Sequence, residues 1–360
     1  MRGAFVDQGR LFSYISPEAR VPLNHPLRKI RALVRDVLSE LNRSFGKLYS
    51  SEGRPSIPPE QLLSALLLQV FYGIRSERQL MEQLDYNLLY RWFVGLSPDD
   101  PVWDPTSFTK NRERLQSGDV FTKFMTKLLN HSQVKPLLSD EHFSVDGTLI
   151  EAWASQKSFR PKDGSGDDDG ANFHGQKRKN DTHASASDPD SRLYRKAAGR
   201  EAKLCYIGHA TMENRHGLAV AGMVTRASGT AECRASERML KTKANQAGHR
   251  ITAGEDKAYD TADHVANLRA LNVTPHVRQN NAITKTGKRR RSAIDERTTR
   301  HQGYGMSQSR RAMIECIFGW GKQHGTMRKT KHRGLWRVAA DFTLNLSAYN
   351  LIRIPKLVMA

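Results

Sequence analysis

Asp146 follows the apolar run Phe143-Ser144-Val145 and precedes Gly147-Thr148, Asp256 closes Ile251-Thr252-Ala253-Gly254-Glu255, and Glu315 lies in Arg311-Ala312-Met313-Ile314-Glu315. Carboxylates brought together from two strands and a helix make a set of hard oxygen donors, the kind Mg²⁺ prefers. Two divalent cations about 3.5–4 Å apart make a nucleophilic oxygen at neutral pH and stabilise charge on a leaving oxygen, which is what phosphodiester chemistry requires. Each acid also has a plainer reading. An Asp before Gly serves as a turn residue, and Asp146 is expected to end its strand. Of the acids around Asp256, Asp260 lies just before a predicted helix with Asp263 three residues on, so it reads as an N-cap. Glu255 and Asp256 alternate faces on a strand, so only one can face a site, and Asp256 is chosen.

Glu315 sits in a predicted helix over Gly305–Thr326. At about 100° per residue, Gln308, Arg311, Glu315 and Lys322 share one stripe within about 40° of Glu315. Met313, Ile317 and Trp320 fall on the opposite, buried face. The plainer reading of the stripe is a solvated face with an Arg311–Glu315 pair worth a few tenths of a kcal/mol.

The elements that must carry these residues change character along the chain. Residues 1–135 read as all-helical: Pro58-Pro59-Glu60 opens a helix whose Leu62, Leu63, Leu66, Leu67, Val70 and Phe71 recur at helical spacing. Helices over Glu77–Leu84, Asn87–Phe93, Ser107–Leu115 and Phe121–Asn130 follow, a cluster suited to a helix-turn-helix-like unit. From residue 136 the pattern is mixed. Strands are expected at His142–Asp146, Lys203–Met212, Gly217–Thr225, Arg250–Asp256 and Val273–Val277. Helices are expected at Arg234–Gln246 and Thr261–Leu271, with a final amphipathic helix at Trp336–Ile352. Residues 151–192 hold no Ile, Leu, Val or Met, so they read as a polar insertion between the first two strands, flexible and acidic over Asp163–Gly170.

The 360 residues carry 57 Lys+Arg against 37 Asp+Glu, a net charge of +20 that calls for a polyanionic partner, nucleic acid first. From Arg278 to Arg337 there are 16 Lys/Arg and 3 Asp/Glu, so 13 of those charges lie in one basic segment, 278–337. Its densest run is Lys288, Arg289, Arg290 and Arg291. This segment reads as a track for a phosphate backbone. Three scattered cysteines contain no CxxC and suit a reducing cytoplasm, and the 13 histidines show no HExxH-type spacing. The most apolar run, Leu62–Ile74, is shorter than the roughly 20 residues that span a bilayer, so no membrane is expected, and the N-terminus shows no signal-peptide pattern.

Val145-Asp146-Gly147-Thr148, the segment Gly254 to Asp260, and Arg311-x3-Glu315-x6-Lys322 resemble the three blocks of bacterial insertion-sequence DDE transposases. The closest likeness is to the IS-five group of the IS-four-like superfamily, whose third block reads Tyr-x2-Arg-x3-Glu-x6-Lys. Gln308 stands at the tyrosine position. The likeness extends into the N-terminal part, from Ile57-Pro58-Pro59-Glu60 to Arg91-Trp92-Phe93. It implies an α/β fold with an RNase H-like catalytic core, a mixed five-stranded sheet flanked by helices, in residues 136–360, and an all-α DNA-binding and assembly domain in 1–135. It implies Asp146, Asp256 and Glu315 as catalytic ligands of two Mg²⁺ ions, with Mn²⁺ as a substitute, and Arg311 and Lys322 as DNA contacts. It implies double-stranded DNA partners (element inverted repeats and target), a homodimer in the synaptic complex, and a cytoplasmic, nucleoid-associated bacterial protein. An inactive transposase-derived DNA-binding protein and a non-transposing nuclease on the same fold are the alternatives.

Overall fold

The computed structural model describes residues 14, 16–50, 52–163, 178–195, 199, 201–283, 287 and 289–358. Eight helices come first: α1 Pro17–Arg20, α2 Pro26–Glu40, α3 Asn42–Gly46, α4 Pro59–Phe71, α5 Glu77–Tyr86, α6 Leu88–Val94, α7 Pro105–Ser117 and α8 Val120–Asn130. Their limits follow from local chemistry. Proline begins α2, α4 and α7, where its missing amide costs nothing. Ser76, Asn87 and Asp104 cap α5, α6 and α7 with their side chains. Gly95 ends α6 at φ 90°, a conformation only glycine adopts freely. Every residue from Leu62 to Val70 is buried, so α4 is the central rod of this cluster, not a surface helix.

The second half holds strands β1 His142–Glu151, β2 Phe159–Pro161, β3 His183–Ser185, β4 Arg192–Tyr194, β5 Lys203–Glu213, β6 Ala219–Arg226, β7 Ile251–Glu255 and β8 Val273–Val277. Its helices are α9 Ala231–Ala247, α10 Ala262–Ala270, α11 Glu296–Thr299, α12 Gln302–Arg311, α13 Ile314–Gln323 and α14 Leu335–Leu357. The main sheet runs β6-β5-β1-β7-β8, with short β4 also on β5. β5 is antiparallel to β1 and β6, while β1, β7 and β8 run parallel. This is the RNase H-like core expected from the sequence. Strand β1 continues five residues past Asp146, because its β5 pairing runs unbroken from Phe143↔Glu213 to Glu151↔Cys205. The expected strand end at Asp146 is therefore corrected to a mid-strand position.

Side-chain alternation sends Phe143 and Val145 into a core with Met239, Leu240 and Ala244 of α9. The opposite face of the sheet supplies Ile150, Tyr206 and Ala210 to a core with Ile314, Ile317 and Phe318 of α13 and Phe342 and Leu346 of α14. Helix α14 lies close on β5 and β6 because Gly208 and Gly222 carry no side chains: a Cβ on Gly222 would sit 2.2 Å from Leu346. The expected amphipathic helix is longer than its forecast and buried along much of its length. Its Leu344, Ala348, Leu351 and Ile354 join the core of the N-terminal helices, so one apolar interior crosses residue 135.

The polar insertion is more ordered than its composition suggests. β2 and β3 form a ribbon, and Asp188 accepts hydrogen bonds from Tyr206 Oη at 2.6 Å and Gly334 N at 3.0 Å. Asp190 accepts from Leu335 N. Two carboxylates thus meet the positive N-terminus of α14. Of the segment Asp163–Gly170, all but Asp163 lies outside the described residues.

Candidate active site

Parallel pairing of β1 with β7 ends at Ser144↔Gly254. Asp146 and Asp256 each lie two residues beyond that last pair, on the face away from α9. The carboxylate of Asp146 accepts from Gly147 N at 2.7 Å. That of Asp256 accepts from Ala258 N, also at 2.7 Å, and caps the 3-10 turn Lys257–Tyr259. Both acids are half-buried. Glu255 points the other way, fully buried, bonded to Ser236 Oγ and, at 2.8 Å, to His264 Nε2.

Helix α12 crosses these strand ends. It can do so because Gly254 has no side chain: a Cβ there would lie 3.2 Å from Ser307 O and 3.7 Å from Arg311 Cβ. Gln308 Nε2 donates to the carbonyls of Glu255, at 3.4 Å, and His276, fastening α12 across β7 and β8. Arg311 is half-buried there, and its Nε has no hydrogen-bond partner.

The expected single helix over Gly305–Thr326 is two helices. At Ala312–Met313 the bonding tightens: Met313 N donates to Arg310 O and Cys316 N to Met313 O, each three residues back. The turn shifts the wheel, so the buried face of α13 is Ile314, Ile317, Phe318 and Gly321, while Met313 and Trp320 are only half-buried. Glu315 is exposed in the first turn of α13, and Lys322 is half-buried in its last. Arg311 and Glu315 form no ion pair among the described residues.

Asp146, Asp256 and Glu315 supply the oxygen donors a hard divalent cation takes. In the protein alone their ligand atoms do not all close to within 4.8 Å. The described group that does is Asp140, Glu141 and His249, all exposed, near the start of β1. Behind the strand ends, Tyr259 is buried and its hydroxyl has no partner. Burial first, then the charges of Glu232, Asp146, Glu255 and Asp256, hold its phenol well above the usual range. His209, paired across from Gly147, is pushed down to about 4 by burial. Glu232 and His209 were not singled out from sequence. Only the glycine after Asp146, which leaves them room, hints at them.

Residues 138–351 match the family model described as the transposase DDE domain. The chain belongs to the DDE transposase family. Residues 15–114 also match a transposase domain model (DUF772). No curated protein matches this transposase. Among solved structures it is similar to a piggyBac transposase synaptic complex with hairpin DNA, at 12% identity and TM-score 0.38, over 92% of this chain and 75% of that one. It is also similar to a Mos1 transposase paired-end complex with the left transposon end, at 12% identity and TM-score 0.20, over 77% and 83%.

The basic segment of the transposase divides into two kinds of charge. Arg289, Arg290 and Arg291 are exposed, and Lys288 lies outside the described residues. The ends of their loop are pinned by Asp260, which accepts from Asn280 N at 2.6 Å and Ala293 N at 2.9 Å. Asp260 is therefore a loop clamp, and the N-cap of α10 is Thr261. Lys331 turns inward instead, to Gln69 Oε1 at 2.8 Å and Glu77 Oε1 at 3.3 Å. Glu77 also pairs with Arg112. Burial alone would raise the Glu77 carboxyl, but Lys331 and Arg112 hold it below its ordinary value. Among the described residues, no helix is long and apolar enough to cross a membrane.

Proposed function

We propose that this transposase is of the IS-five group and acts on the terminal inverted repeats of its own element. The observation that carries the reading is the placement of Asp146 and Asp256 on one face of two adjacent parallel strands, beneath the α12–α13 pair that carries Glu315. These three acids hold the divalent cations, two Mg²⁺ or Mn²⁺. When bound, the cations supply Lewis acidity and neutralise charge at the scissile phosphate. Backbone amides of Gly147 and Ala258 fix the two aspartates in advance, so little ordering remains when DNA arrives.

Hydrolysis at the element end frees a 3′-OH, and that oxygen attacks target DNA by transesterification. Each step exchanges one P–O bond for another, so no nucleotide cofactor is needed. Arg311 and Lys322 hold the cleaved strand beside the acids. Helices in 1–135 read the repeat, and Lys288 to Arg291 hold the backbone without regard to sequence. Two ends are processed together, so the working form is a homodimer on DNA at the bacterial nucleoid.

The test incubates the full chain with a duplex bearing the element end, a target plasmid and Mg²⁺. Joined products are the expected result. Cleavage with no joining at any target concentration indicates a nuclease, and binding with neither indicates a DNA-binding protein.

A further inference from the structure

Helix α9 begins beneath Gly147, on the face of the sheet opposite Asp146. A Cβ on Gly147 would lie 2.8 Å from Glu232 Oε1, 3.2 Å from Glu232 Cγ and 3.3 Å from His209 Nδ1. The glycine after Asp146 is thus the gap through which the Glu232 carboxylate reaches the backbone of β1. Past Ser144, the β7 edge of β1 has no strand partner, so the sheet is open beside Asp146 and Gly147.

Two side chains around this opening are buried with a polar atom unsatisfied. His209 is 0% exposed and its Nδ1 has no hydrogen-bond partner; Tyr259 is 1% exposed and its hydroxyl has none. Buried polar atoms are seldom left so in a finished site. Burial first, then the charges of Glu232, Asp146, Glu255 and Asp256, raise the Tyr259 phenol.

We propose that Glu232 is a fourth carboxylate of the cation centre, reaching the opening between Asp146 and Asp256 from the α9 side. The reading rests on Asp146 and Asp256 being the cation-holding pair. An added carboxylate raises the site's negative charge and tightens its hold on a divalent cation before DNA binds. Gly147 is required because any side chain there displaces Glu232.

The experiment is calorimetric titration of the full-length protein, free of DNA, with Mn²⁺. A His249→Ala background removes the exposed Asp140–Glu141–His249 group from the signal. Glu232→Gln and Gly147→Ala should each weaken Mn²⁺ binding about tenfold or more, the scale of a lost ligand or ligand support. The Glu232→Gln protein should keep its melting temperature in EDTA. Glu232→Asp, one methylene shorter, should fall between wild type and Glu232→Gln, and it decides the matter if Glu232→Gln does not fold. Wild-type Mn²⁺ affinity in a folded Glu232 variant overturns the proposal while leaving the Asp146–Asp256 pair standing. Unchanged affinity in Asp146→Asn and Asp256→Asn overturns both.

Discussion

Glu255 and Asp256 are neighbours in the chain and face opposite sides of the sheet. Glu255 is spent on a buried network in which both ring nitrogens of His264 meet carboxylates, Glu255 Oε2 and Glu237 Oε1, each at 2.8 Å. Burial alone would lower the His264 pKa, but those two bonds outweigh it and raise it above its usual value. The His264 ring ties α9, α10 and β7 together, and Asp256 is left for the other face.

A raised histidine stabilises the fold fully below the unfolded pKa of about 6.5, and that contribution fades as pH rises through the higher folded value. His264→Gln should therefore cost the most near pH 5.5–6, on the order of 3 kcal/mol, and progressively less in alkaline buffer. Urea melts of both proteins across pH 5.5 to 9 check this. A gap that widens with pH contradicts it.

Asp146→Asn, Asp256→Asn and Glu315→Gln should each slow end cleavage by at least about a hundredfold while binding element-end DNA as wild type does. Gel-shift and cleavage assays on the same duplex separate the two properties. Near-normal cleavage by Glu315→Gln would remove that residue from the centre.

Lys331→Ala should behave as a stability mutant. It removes one of the two cations on the half-buried Glu77 carboxylate, leaving Arg112, a loss of about 1.5–3 kcal/mol, yet it should leave the salt dependence of DNA binding unchanged. Denaturant unfolding and affinity measured against salt give the two readouts. A flattened salt slope with unchanged stability would return Lys331 to the DNA track.

Neutralising Arg289, Arg290 and Arg291 together should weaken binding to specific and random duplexes alike and reduce the slope of log affinity against log salt by roughly 2–3. Asp260→Ala should act on the same loop by releasing both of its ends, and limited proteolysis should then cut between 280 and 293 well before wild type is cut. A loss confined to the specific duplex would contradict a backbone role.

Much of this architecture was legible because burial writes itself into the period of the chain. Val273–Val277 has the limits its alternation predicts, and Asp256 was separable from Glu255 because strand neighbours must diverge. The rest depended on partners that composition does not show. The tightening at Ala312–Met313 is invisible to a wheel that assumes a constant turn. Lys331 looks like its neighbours until Gln69 and Glu77, more than 250 residues earlier, are folded against it. Asp188, Asp190 and Asp260 sit in polar stretches and earn their places only by reaching distant backbone amides.

Helix α14 is made more than 200 residues after α4 and α8, yet it lies in the interior of the N-terminal helices. Leaving the ribosome, α2, α4 and α8 have no Leu344, Ala348, Leu351 or Ile354 to close their core. Contacts of such long sequence separation form late and slowly. The N-terminal helices therefore wait, incompletely packed, until residues 335–357 have been made. A chain broken off before residue 335 should bring neither half to its finished form.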